Sequence, residues 1–177
     1  MRNCSLMIRF VFVVLVFVLS ACKPPVQERH VSEPDPVREE FVKVNRYMQR
    51  RHQDHIAAFV KRVGWNADVT PSGLWIVVEE KGTGPRIETG NRVSYTFTST
   101  LLDGTPVYET AEDTPKQVVI GQGGMESGVE EGLRHLRNGS RAILLIPPHL
   151  AHGNFGDGNK IPGNSVLIYR LEIKEVR

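Results

Sequence analysis

Arg141-Ala142-Ile143-Leu144-Leu145-Ile146-Pro147-Pro148 is an apolar strand core that stops on two prolines. Downstream, a Gly/Asn/Pro-rich loop runs to Asn164, and Val166 to Val176 then alternates apolar and polar residues as a last strand. Upstream, Asn138-Gly139 closes a helix whose apolar positions Val129, Leu133 and Leu136 share one face. Ser127-Gly128-Val129-Glu130 offers a capping box for its start. Leu74 to Val78, between Pro71-Ser72-Gly73 and Lys81-Gly82-Thr83-Gly84-Pro85, reads as a first strand. Val93, Tyr95, Phe97, Ser99 and Leu101 form a period-two second strand ending at the turn pair Asp103-Gly104, and Val118 to Ile120 a shorter third. The order β-β-β-α-β-loop-β predicts an α+β fold, an antiparallel twisted β-sheet wrapped around one short α-helix that covers one of its faces.

Ahead of this domain, Asp35 and Pro36 are an N-cap and first helical residue. Apolar side chains then recur at Phe41, Val44, Met48, Ile56, Phe59 and Val63, interrupted by His52, while Arg46, Arg50, Arg51, Lys61 and Arg62 fall largely elsewhere on the wheel. This amphipathic N-terminal helix must bury one face. Its own domain, a second copy of the chain in a homodimer, a partner protein docked through residues 36–64, and a membrane surface all remain open as the cover.

The chain begins Met1-Arg2, has Arg9, and runs uncharged and apolar from Phe10 to Leu19 before Leu19-Ser20-Ala21-Cys22. About ten apolar residues match a secretory h-region and fall short of the roughly twenty that span a membrane. Residues 1–21 are therefore expected to be a signal peptide, 22–35 a Pro-rich flexible tether, 36–66 a helical segment and 67–177 the folded domain. Cys4 is the only cysteine besides Cys22, so once the signal peptide is lost no internal disulfide, cysteine ligand set or second thiol remains. A formal charge of +2 gives no electrostatic argument for nucleic acid.

Four ordered blocks in residues 72–177 resemble the FK506-binding-protein (FKBP) family of peptidyl-prolyl isomerases. They are Phe97-Thr98-Ser99-Thr100-Leu101-Leu102-Asp103-Gly104, Gly121-Gln122 with Gly128-Val129-Glu130-Glu131-Gly132-Leu133, Ile146-Pro147-Pro148-His149-Leu150-Ala151-His152-Gly153, and Ile161-Pro162-Gly163-Asn164-Ser165-Val166-Leu167. Leu-Ser-Ala-Cys resembles the lipobox of bacterial lipoproteins, which implies acylation of Cys22, a membrane anchor, and a cell-envelope location with the domain in the periplasm. Lys23 after the cysteine favours the outer membrane.

The resemblance implies substrates that are proline-containing polypeptides, no cofactor, and a pocket at Phe97, Val107, Tyr108, Met125, Glu126, Val129, His152, Ile161 and Tyr169. The pocket departs from the family's aromatic lining at several of these positions: Phe97 replaces a Tyr, Val107 a Phe, Tyr108 an Asp, Val129 a floor Trp, His152 a Tyr and Tyr169 a Phe. Glu126 enters as a backbone N–H donor to a substrate carbonyl. Rotation about an X-Pro bond faces a barrier of roughly 18–20 kcal/mol and breaks no covalent bond, so an apolar cup with a few directed hydrogen bonds suffices. His149-x-x-His152 and His52-x-x-His55 lack the further ligands of a zinc site. Gly121 to Gly128 lacks the Lys-Ser/Thr ending of a phosphate loop, and Asp157-Gly158-Asn159 is too poor in carboxylates for a calcium loop.

Overall fold

The computed structural model describes residues 36–177; the expected signal peptide, Cys22 and the Pro-rich tether lie outside the described residues. Contacts divide the chain into two units, Met1–Glu39, of which only the first residues of a helix are described, and Glu40–Arg177, which carries the rest of that helix and the whole sheet. Helix α1 is Pro36–Val63. The strands are β1 (Asp68–Val69), β2 (Trp75–Glu80), β3 (Arg92–Leu101), β4 (Pro106–Glu109), β5 (Lys116–Val119), β6 (Arg141–Ile146) and β7 (Leu167–Val176), with helix α2 (Ser127–Arg134) before β6 and a short 3-10 turn at Pro148–Leu150 after it.

All strand pairs are antiparallel, in the order β1-β2-β6-β7-β3-β4, and β5 shares the outer edge of β3 with β4. The α+β class expected from the sequence is the observed one. Two short strands, β1 and β4, are additions. Each is too brief to show a period, and β4 exists because Asp103-Gly104 turns the chain back onto β3.

Period-two alternation separates two cores. Tyr95, Leu144, Leu167, Tyr169 and Leu171 face α2, whose Val129 and Leu133 are fully buried against them. A Cβ on Gly132 would lie 2.4 Å from Leu144 Cδ1 and one on Gly128 2.4 Å from Ile146 Cγ2, so the two glycines let α2 rest directly on β6. Val77, Ile143, Leu145, Val166 and Ile168 face the other way and are covered by Ile56 and Val60 of α1. The sheet is thus covered on both faces: α2 covers one as expected, and α1 packs on the other, its own domain being one of the covers the sequence left open. β6 is buried and apolar from Ala142 to Ile146 for that reason, with Arg141 exposed at its start.

Only part of α1 supplies this cover. Ile56 is fully buried and Phe59 half-buried, but Phe41 is 65% and Val44 53% exposed, and Val60 takes the inward place expected of Val63. The apolar back face comes from β2, β6 and β7, with Val166 just before β7, and meets the C-terminal half of the helix alone. His52, one turn before Ile56, is half-buried, and burial, followed by His55, His149 and Arg51, holds its pKa below the ordinary value. Gln53 clamps helix to sheet with both ends of its amide: Nε2 donates to the Gly73 carbonyl at 2.9 Å, and Oε1 accepts from Trp75 Nε1 at 2.7 Å.

The expected capping box does not form. Glu126 is the N-cap and caps with no side-chain bond, while the Ser127 hydroxyl donates to the Leu150 carbonyl and Glu130 accepts from the Gly121 N–H. α2 also ends at Arg134, short of Asn138-Gly139. The chain leaves the helix because Arg137 bridges Arg86 and the Ile87 N–H bonds the Leu136 carbonyl.

Ile56→Ala opens a cavity between α1 and the sheet and is expected to cost about 2–5 kcal/mol in urea unfolding, whereas exposed Phe41→Ala stays within about 0.5 kcal/mol. Equal losses would contradict this division of the helix.

Candidate functional site

The register of β3 with β7 sets Phe97 opposite Leu171 and Ser99 opposite Tyr169, and all four face α2. Phe97 stacks on Tyr169 with centroids 5.0 Å apart and planes 22° from parallel, and Tyr95 backs Phe97 at 6.0 Å. Phe97 is half-buried, with Tyr169 stacked on its ring. Val129 is fully buried at the start of α2, and Val107 and Ile161 are 3% exposed in the same cluster. Met125 packs against that cluster from the loop before α2. The apolar residues named from the sequence therefore share one core with the half-buried aromatic wall.

Polar partners converge on Glu126. Its Oε1 accepts a 2.8 Å hydrogen bond from the Tyr169 hydroxyl and lies 3.1 Å from His152 Nε2. One oxygen thus ties the loop before α2, β7 and the loop after β6. Burial, and then the Glu126 charge, pushes the Tyr169 hydroxyl well above its ordinary range, and the same two causes raise Tyr95. Both phenols stay neutral and Tyr169 serves as a donor. Glu126 contributes a side chain where the sequence suggested only its backbone. Its N–H has no acceptor among the described residues.

A second polar join holds the rim. The Tyr108 hydroxyl donates to Asp157 Oδ2 at 2.5 Å, and Asp157 Oδ1 accepts from the N–H groups of Asn159 and Ile161 at 2.9 and 2.8 Å. These bonds, with Tyr108 the largest contributor, hold the Asp157 carboxyl down at about 2. Ser99 exchanges two bonds with Tyr108, Oγ to its carbonyl at 2.9 Å and from its N–H at 3.0 Å, which aims the Tyr108 ring across the rim. Lys160 donates to the Val107 carbonyl at 3.1 Å and lies 5.2 Å from the Tyr108 ring centroid; Lys116 lies 5.8 Å from that of Phe97.

Asp157, Lys116, Lys160 and Ser99 were not among the site residues read from the sequence. Asp157 had a signal of its own, an Asp followed by Gly-Asn in a loop, which marks a side chain bonded to its own backbone; the lysines had none. The two histidines of the 149–152 pair point apart in their bonding, His149 to the Ser72 carbonyl and His152 to Glu126. Among the described residues no group of three metal-ligating side chains assembles.

Residues 84–174 match the family model described as FKBP-type peptidyl-prolyl cis-trans isomerase. The chain is similar to the FKBP-type isomerase FkpA of Aeromonas hydrophila, 31% identical over 71% of this chain and 45% of the relative. It is also similar to mouse FKBP10, 33% identical over 48% of this chain and 14% of that one. The chain thus spans less than half the length of these relatives. Its fold resembles that of a peptidyl-prolyl isomerase from Pseudomonas syringae pv. tomato, with a TM-score of 0.63 at 21% identity over 74% of this chain and 94% of that chain. It also resembles AtFKBP13, with a TM-score of 0.59 at 27% identity over 63% and 99%.

Because the folded-state pKa of Asp157 lies below the ordinary 3.8, its carboxylate stabilises the fold fully above about pH 4, and that contribution is lost as pH falls toward about 2. Tyr108→Phe is expected to raise the Asp157 pKa toward 3.8 in a carboxyl-carbon NMR titration. An unchanged value would mean that the two backbone N–H groups alone set it.

Proposed function

The chain belongs to the FKBP-type peptidyl-prolyl cis-trans isomerase family, and on that premise we propose that it accelerates rotation of X-Pro bonds in exported polypeptides as they fold. The observation that carries this reading is the half-buried Phe97 ring, stacked on Tyr169 beside a Glu126 N–H with no acceptor among the described residues. In this reading a proline ring lies on Phe97 and its preceding carbonyl turns toward the Glu126 N–H. The planar amide loses resonance on twisting, and its nitrogen becomes pyramidal and basic. An apolar wall that sheds water and one N–H held toward the carbonyl favour that twisted form over the planar one. No nucleophile, metal or proton transfer enters the step.

One observation supports a second reading, a binding module with little turnover. The Glu126 carboxylate, 15% exposed, places a charge beside the aromatic wall, and a charge stabilised there by Tyr169 and His152 does nothing for a neutral twisted amide. The rate constant decides between the two. With purified protein and short X-Pro peptides in a protease-free NMR exchange assay, acceleration is expected, and Phe97→Ala is expected to lower kcat/KM about tenfold or more, as loss of a stacked ring worth up to about 1.5 kcal/mol beyond its buried area implies. No acceleration for any X would leave the binding module.

For location, the lipobox-like Leu19-Ser20-Ala21-Cys22 supports a lipid-anchored form in the cell envelope, outer membrane favoured, with the domain in the periplasm. Cys22→Ala is expected to move the protein from the membrane fraction to the soluble fraction; membrane retention of the variant would overturn the anchor.

A further inference from the structure

Two ammonium groups rest on the two aromatic rings of the rim. Lys116 Nζ sits 5.8 Å from the Phe97 centroid, and Lys160 Nζ sits 5.2 Å from that of Tyr108 while donating to the Val107 carbonyl. Neither lysine forms an ion pair with a carboxylate among the described residues. The two carboxylates of the site are already engaged: Glu126 by Tyr169 and His152, and Asp157 by Tyr108 and two backbone N–H groups. The negative charges are turned into hydrogen bonds of the framework, and the positive charges are left at the mouth.

A ring face is a weaker partner for an ammonium than a carboxylate is, because the ring offers a quadrupole and the carboxylate a full charge with hydrogen-bond acceptors. An incoming acidic side chain therefore competes successfully for either lysine. The reach is right: residues flanking a proline lie about 3.8 Å from it in Cα separation, and a Glu side chain extends roughly as far again. Lys116 shares the Phe97 ring with a proline seated there and Lys160 lies at the Tyr108 end of the same wall, so an acidic side chain flanking the proline on either side meets one ammonium group or the other.

We propose that the site selects polypeptide segments carrying Asp or Glu directly before or directly after the proline, with Lys116 and Lys160 as its specificity-determining residues. The inference rests on the isomerase reading for its location and extends it by the class of substrate. Segments with Lys or Arg in those places are disfavoured by the same two charges.

The test uses the mature chain with end-capped peptides that differ only in Glu, Gln or Lys before the proline, and a second set that differs after it. Exchange rates and chemical-shift titrations are both recorded. In at least one set the Glu peptide is expected to exceed the Lys peptide by about threefold or more in kcat/KM and in affinity at low salt. That ratio is expected to fall toward one in 0.5 M salt, as screening of about a 10 Å range at 0.1 M shortens further, and in the K116Q/K160Q double variant. A ratio of one or below in both sets, or a ratio that survives the double substitution in a folded variant, overturns the proposal while any turnover leaves the isomerase reading standing. If the double variant does not fold, the wild-type ratio and its salt dependence decide. Absence of turnover with the acidic preference intact in the titrations overturns the isomerase reading and keeps the preference; absence of both overturns both.

Discussion

The pairing of β3 with β7 is the constraint on which the rest of the domain depends. It runs from Val93 opposite Val176 to Leu101 opposite Leu167, the longest ladder in the sheet. Side chains on a strand alternate, so this one register decides that Phe97 and Tyr169 emerge on the same face and stack. A slip of one residue would send Tyr169 to the α1 side and bring Arg170, with Glu79 as its partner, into the apolar core. The outer edge of β3 then carries both short strands, β5 by its first half and β4 by its second, so Lys116 and Tyr108 are delivered to opposite ends of the same wall.

The site is held by polar joins rather than by a tight apolar cup. Val129 and Val107 are too small to wall the space with rings, and the gap is spanned by hydrogen bonds from Glu126 to Tyr169 and His152 and from Tyr108 to Asp157. Each joins elements far apart in sequence, and the bond from Tyr169 to Glu126 satisfies a hydroxyl that burial would otherwise penalise. For the proposed function the consequence is a rim tied by hydrogen bonds and a Glu126 N–H whose position is set twice, by the backbone that caps α2 and by the side chain that reaches β7.

Much of this was legible in the sequence, for identifiable reasons. Alternation at Val93, Tyr95, Phe97 and Ser99 and the order of the elements carried the sheet and its short helix, because period and burial are local properties of a strand, whereas the pocket residues came only from the family resemblance. The second covered face of the sheet was foreshadowed by the unbroken apolar run from Ala142 to Ile146, yet α1 alone could not show which half of its stripe would be used. What remained hidden were choices among partners. Ser127 and Glu130 had the spacing of a capping box, but Leu150 and Gly121 offered better-placed partners. Asp157 and Tyr108 stand 49 positions apart, and no spacing rule joins them. Whether Glu126 would act through its N–H or its carboxylate was likewise a question of where Tyr169 ends.

The central claim is that the Glu126 N–H and the aromatic wall together favour the twisted amide, and one comparison isolates the donor. Glu126 has φ −62°, which proline adopts without strain, so Glu126→Pro deletes the N–H and Glu126→Ala retains it while both remove the carboxylate. The NMR exchange rate of a Glu-Pro peptide is the quantity to measure. The account predicts that Glu126→Ala still accelerates exchange and that Glu126→Pro, shown to be folded, falls at least about tenfold below it, the size expected for losing one directed donor. Equal rates in the two variants would contradict it.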